Sequence, residues 1–172
     1  MGGTRRSRLL IPLLIALVAG CSTGGSSGGL TPPGGGGGGG GNISAIDACA
    51  LLTPAEIEQA LGSAMKPGVK ETLTGNASGC DWDAQSEAAG LSISVKITPF
   101  EQTLWDGETS TKGNAAVPGI GEAAFRGFVS NGVMLIKKGG MEVDLQIVAI
   151  FLDEKKMEAG QETLAKLAIS RV

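Results

Sequence analysis

From Leu91 to Ile97 apolar and polar residues alternate without a fault, the period of a strand with one buried and one wet face. The alternation returns from Met141 through Glu142, Asp144 and Gln146, then turns wholly apolar over Val148, Ala149, Ile150 and Phe151. That change predicts a strand covered on both sides at its far end, with the segment from Thr98 to Pro118 as the candidate cover. Phe125 to Ser130 and Val133 to Lys137 flank Asn131-Gly132, a pair suited to the positive backbone angles of a type I′ hairpin turn. Cys80-Asp81-Trp82-Asp83 reads as the start of another strand, with Trp82 directed to the core. Met65 to Leu73 reads as a first strand interrupted by Pro67 and Gly68. Thr98 to Pro118 reads as a loop with room for a short helix around Phe100 to Trp105.

Two helices stand out. Thr53 is placed to be an N-cap, Pro54 falls at the first helical position, and Glu56 at the third completes a capping box. Ile57, Ala60 and Leu61 give this helix one apolar face, and Gly62 is its stop signal. The second helix follows Asp153, with Met157, Gly160, Leu164, Leu167 and Ala168 on one stripe. The elements together predict an α+β fold: an antiparallel sheet of four to six strands with an N-terminal and a C-terminal helix packed on one face.

The pattern ahead of this domain is different in kind. Arg5, Arg6 and Arg8 precede an apolar run from Leu9 to Val18, the layout of a secretory signal peptide and shorter than the roughly 20 residues that span a bilayer. Ala19 and Gly20 followed by Cys21 look like a lipobox, with cleavage between Gly20 and Cys21 and a diacylglycerol on the Cys21 thiol. Ser22 to Asn42 is almost entirely Gly, Ser, Thr and Pro, a leash of about 20 residues with a root-mean-square span of roughly 25 Å. The expected organisation is a signal peptide over 1–20, a lipidated cysteine and linker over 21–42, and one domain over 43–172. Its expected location is the extracytoplasmic face of the cell membrane, and its membrane partner enters through the Cys21 anchor.

Three cysteines are an odd number for an exported chain. With Cys21 acylated, Cys49 and Cys80 become an expected disulfide in a compartment where such bonds persist; the alternative is two buried thiols. Charge narrows the partners. Removing Arg5, Arg6 and Arg8 leaves 11 of the 14 basic side chains against 17 acidic ones, so the net charge moves from -3 to -6. A domain of that sign is repelled by nucleic acid and by anionic headgroups.

Cys49-Ala50-Leu51-Leu52-Thr53-Pro54-Ala55-Glu56, the Cys80-x-Trp82 pair, Val117-Pro118-Gly119-Ile120-Gly121-Glu122-Ala123-Ala124, and a closing helix with Leu164, Ala165 and Leu167 occur in that order. The set resembles a family of actinobacterial lipoproteins grouped only as a domain of unknown function. Ala48 departs from it, standing where the family often has proline before its first cysteine. The resemblance implies an exported, lipid-anchored domain and carries over no catalytic residue.

The chemistry is sparse. There is no histidine, which removes imidazole-based triads and the commonest metal ligand. Gly119-x-Gly121-x-x-Ala124 fits the dinucleotide fingerprint in letters, but that motif needs a strand before it and a helix after it; a tight turn into a hairpin is the plainer reading. Asp81 and Asp83 project to one side of a strand, and a solvated face outweighs a cation site that would need six or more oxygens. Lys137-Lys138 reads as a soluble hairpin end that guards a sheet edge. Trp82 reads as a core anchor, and Trp105 as either core or a ligand platform. These features predict no catalytic, cofactor or metal residues and a non-enzymatic binding or sensing module for an envelope protein. The alternatives are a carrier of an apolar or lipid ligand, suggested by Ile147 to Phe151, and an enzyme working with carboxylates alone.

Overall fold

The computed structural model describes residues 42–127 and 132–172. The expected signal segment, Gly20, Cys21, nearly all of the linker, and Asn131 of the expected hairpin turn lie outside the described residues. Seven antiparallel strands form one sheet in the order β1-β2-β3-β7-β6-β5-β4. They are β1 (Val69–Glu71), β2 (Ser78–Asp83), β3 (Leu91–Pro99), β4 (Ala115–Ala116), β5 (Ala123–Arg126), β6 (Val133–Lys138) and β7 (Met141–Ala149). The helices are α1 (Pro54–Leu61), α2 (Gln102–Thr109) and α3 (Glu154–Ser170). The α+β class, the antiparallel sheet and the disulfide agree with the sequence, and the count exceeds six because β1 and β4 are edge fragments of three and two residues.

Periodicity decides the two longest strands. Leu91, Ile93, Val95 and Ile97 of β3 face inward beside Val143, Leu145 and Ile147 of β7, all buried. Helix α3 lies on this inner face, with Met157, Leu164, Ala165 and Ala168 buried against it. Its start is capped as expected, Lys156 N donating to Asp153 Oδ1 at 2.9 Å. Helix α1 has the full capping box: Glu56 N donates to Thr53 Oγ1 at 3.3 Å and Thr53 N to Glu56 Oε2 at 2.9 Å. Gly62 closes it in the left-handed conformation at φ 76°, where a side chain would be strained. Ile57 and Leu61 complete the core beside α3.

Cys49 and Cys80 are bonded, their Cα atoms 5.1 Å apart. The bridge ties the turn at Ala48–Ala50 to β2. Ser78 reinforces it, its hydroxyl donating to Ile46 O at 2.6 Å and accepting from Ala48 N at 3.3 Å. The chain crosses the bridge at Gly68, where a Cβ would lie 2.6 Å from Trp82 Nε1 and 2.7 Å from Cys80 Sγ. This crossing explains why the expected strand from Met65 to Leu73 shrinks to Val69–Glu71, with Met65 only bridging Ala84.

Three expectations need correction. The apolar end of β7 is not covered on both sides: Val148, Ile150 and Phe151 are 51, 70 and 75% exposed. Among the described residues the pairing of β6 with β7 ends at Val133 and Gln146, with one further backbone bond from Ile147 N to Gly132 O at 2.7 Å. The Thr98 to Pro118 segment does act as a cover, through α2, but over β5 and β6. The lysines at 137 and 138 guard no edge, because β6 lies between β5 and β7. Lys137 Nζ sits 4.1 Å from the centre of the Phe100 ring, and Lys138 Nζ donates to Ile169 O.

Candidate functional site

The outer face of the sheet carries what chemistry the domain presents. Register aligns Glu71, Gly79, Lys96, Asp144, Leu135, Phe125 and Ala116 in one row across all seven strands. Helix α2 covers the Leu135 and Phe125 end. Trp105 is its single buried side chain, with ring centres 5.7 Å from Phe100 and 5.6 Å from Phe125. Trp105 is therefore a core anchor of this small layer, as Trp82, 1% exposed, is of the main one.

Three carboxylates gather at the margin of α2. Asp144 and Glu108 line one cleft of about 270 Å³ with Thr111, Phe125 and Leu135. Burial, then the charges of Glu108 and Asp144, push the Glu142 carboxyl up to about 7. Burial also raises Asp144; Lys96 opposes that rise and Glu108 adds to it. Asp144 Oδ1 is buried with no hydrogen-bond partner among the described residues. Lys96 in turn pairs with Glu71 at 3.4 Å.

Over the other half of this face no helix lies among the described residues. Asp81 and Asp83 from β2, Ser92 and Ser94 from β3, and Gln146 and Val148 from β7 line a trough of about 270 Å³. Through Asp83, Ser92 and Val148 it continues into a hollow of about 420 Å³ that adds Lys66, Glu87 and Ile150. Ser94 Oγ is buried and unpartnered among the described residues. Asp81 and Asp83 share a side as the strand period required, and both are exposed. Among the described residues no group of three or more His, Cys, Asp or Glu is arranged to hold a metal.

The nucleotide-like glycines also resolve. Gly119 and Gly121 have φ of 79° and 59°, and a Cβ on Gly121 would lie 2.6 Å from Lys137 O. They form a turn into β5, not a helix start. The Glu108, Glu142 and Asp144 grouping was not legible in the sequence, since two of its members sit at the wet positions of β7 and the third arrives on α2. Gln161 was missed as well. It is fully buried on α3, where Arg126 of β5 donates from Nε to its Oε1 at 3.1 Å while reaching Glu162 at 2.8 Å and Glu158 at 3.3 Å; its Nε2 has no partner among the described residues.

Fold and site define a disulfide-stapled α+β domain whose sheet has one helix-packed face and one partly open polar face. Residues 16–137 match the family described as "Protein of unknown function (DUF3558)". The chain belongs to that family. No curated protein and no solved structure matches it.

Proposed function

We propose that this chain is an exported lipoprotein, held at the extracytoplasmic face of the cell membrane by a diacylglycerol on Cys21, whose domain binds an envelope partner through the open half of its outer sheet face and carries out no reaction. The observation that supports it is the position of the exposed apolar tip. Val148 lines the polar trough and Ile150 its continuation, with exposed Phe151 next in the chain, and an exposed apolar cluster with a polar rim marks interaction surfaces. The described chain begins at the other end of the sheet, where Ser44 N donates to Asn76 Oδ1 at 3.0 Å beside the start of β2. The length of β2 separates the two ends by about 20 Å at roughly 3.3 Å per residue. A tether joined at the first end presents the tip away from its point of attachment.

The test is a photo-reactive amino acid placed at Ser92 in living cells, with Thr163 on the far helical face as control. The reading expects discrete adducts from Ser92 and none from Thr163; adducts from neither, or from both alike, would sink it. Cys21→Ser is expected to move the protein out of the detergent phase, and unchanged partitioning would remove the anchor.

The carrier alternative loses its motivation, since Val148, Ile150 and Phe151 lie on the surface and line no closed chamber among the described residues. A carboxylate-dependent reaction keeps one supporting observation, because a carboxyl raised to about 7 beside two others is common at catalytic sites. It expects turnover of an envelope glycan or ester with a pH limb near 7 that Glu142→Gln abolishes. A Glu142→Gln variant with an unaltered pH profile would end that reading.

A further inference from the structure

We infer that the occupant of the open trough is an extended polypeptide segment that carries a cationic side chain within about three residues of an apolar one. This rests on the binding role proposed above and adds the chemistry of the partner.

Charge comes first. Asp81, Asp83 and Glu87 line the trough and its continuation, with Lys66 as the one cation among the lining residues. None of the three carboxylates is in an ion pair among the described residues, whose pairs involve Glu71, Glu158, Glu162 and Glu56. A net charge of -3, deepening to -6 once the three leading arginines are removed, has the same sign. Complementary charge steers a basic partner toward such a site and disfavours an anionic lipid surface.

Spacing comes second. Asp83, Ser92 and Val148 lie in one row across β2, β3 and β7, so the carboxylate and the apolar wall are two strand spacings apart, about 10 Å. An extended chain covers about 10 Å in three residues. One segment can therefore set an ammonium or guanidinium group at Asp81 and Asp83 while an apolar side chain rests on Val148 and Ile150. Beside those points the exposed Gln146 amide is available to its main chain.

The experiment is a nuclear magnetic resonance titration of the full chain carrying Cys21→Ser. The probes are three short synthetic peptides alternating leucine with lysine, with glutamate, or with serine, and vesicles of anionic phospholipid. The lysine peptide is expected to shift resonances of Asp81, Asp83, Ser92, Ser94, Gln146 and Val148, more weakly at high salt. Asp81→Asn with Asp83→Asn should weaken its binding about three- to tenfold, and Val148→Ser with Ile150→Ser should weaken it comparably; both pairs alter exposed or half-exposed positions and are expected to leave the fold intact. Equal or tighter binding of the glutamate or serine peptide in the trough would overturn the charge assignment while leaving the trough as a binding site. Binding of the vesicles through the tip, self-association that buries the trough, or shifts absent from the trough with every probe would overturn both.

Discussion

Arg171, one residue from the end of the chain, holds Glu56 in a two-point ion pair across a sequence separation of 115, with Nη1 at 2.9 Å from Oε2 and Nη2 on Oε1. The same guanidinium donates to Leu51 O at 2.6 Å. It thus joins the end of α3 to the capping box of α1.

That contact sets an acid limit. The hydrogen bond from Arg171, then that from the Thr53 amide, lowers the Glu56 carboxyl from 4.5 to about 2. Its folded value lies below its unfolded one, so the contribution is present above pH 4.5 and is lost as pH falls through about 2. Arg171→Ala is expected to cost about 1 to 2 kcal/mol at neutral pH and to shift acid unfolding, followed by circular dichroism, to higher pH. An unmoved acid midpoint would contradict the coupling.

Glu142 works in the opposite direction. With a folded value of about 7 against 4.5, the native state keeps a proton that the unfolded chain has released, so stability declines as pH rises between those values. Glu142→Gln should raise stability at pH 8 by about 1 kcal/mol, a figure discounted for its partial exposure, and change it little at pH 4. Urea midpoints at the two pH values measure this.

Removing the disulfide should be the most damaging of these changes. Cys49 and Cys80 close a loop with a sequence separation of 31, which restricts the unfolded chain by about 3 to 4 kcal/mol in the entropy account. Cys49→Ser with Cys80→Ser is expected to lower Tm by on the order of 10 °C, read by calorimetry.

At Gly160 helix propensity and packing disagree. Alanine gains about 1 kcal/mol in a helix interior, but a Cβ here would lie 2.3 Å from Leu61 Cδ2 and 3.2 Å from Ala60 O. Overpacking of about 1 to 3 kcal/mol should win, because Leu61 is buried and has little room to withdraw. Gly160→Ala is expected to destabilise, and a rise in Tm would show that α1 shifts freely.

Most of the fold was legible because its strongest signals are local. Thr53 and Glu56 satisfy each other within one turn, and the period of Leu91 to Ile97 alone chooses a face. Cys49 and Cys80 were the only pair left once Cys21 was set aside. What escaped depends on partners far away in the chain. Val148, Ile150 and Phe151 resemble a buried strand end because periodicity cannot register whether another element is laid over them, and among the described residues they are 51, 70 and 75% exposed. Gln161 looks like solvent-facing helix until Arg126 is placed beside it. The trough was half visible, since Asp81 and Asp83 were seen to share a side, but its apolar wall comes from β7.

The staple between Cys49 and Cys80 has a mechanical consequence. In the tethered form proposed above, any load on the anchor enters at Asn42 and can peel the chain only as far as Cys49. From there a covalent bond carries the force into β2, which is hydrogen-bonded on both flanks by β1 and β3. Drag on a captured partner would be borne by strands inside the sheet and leave the helical layer out of the line of tension.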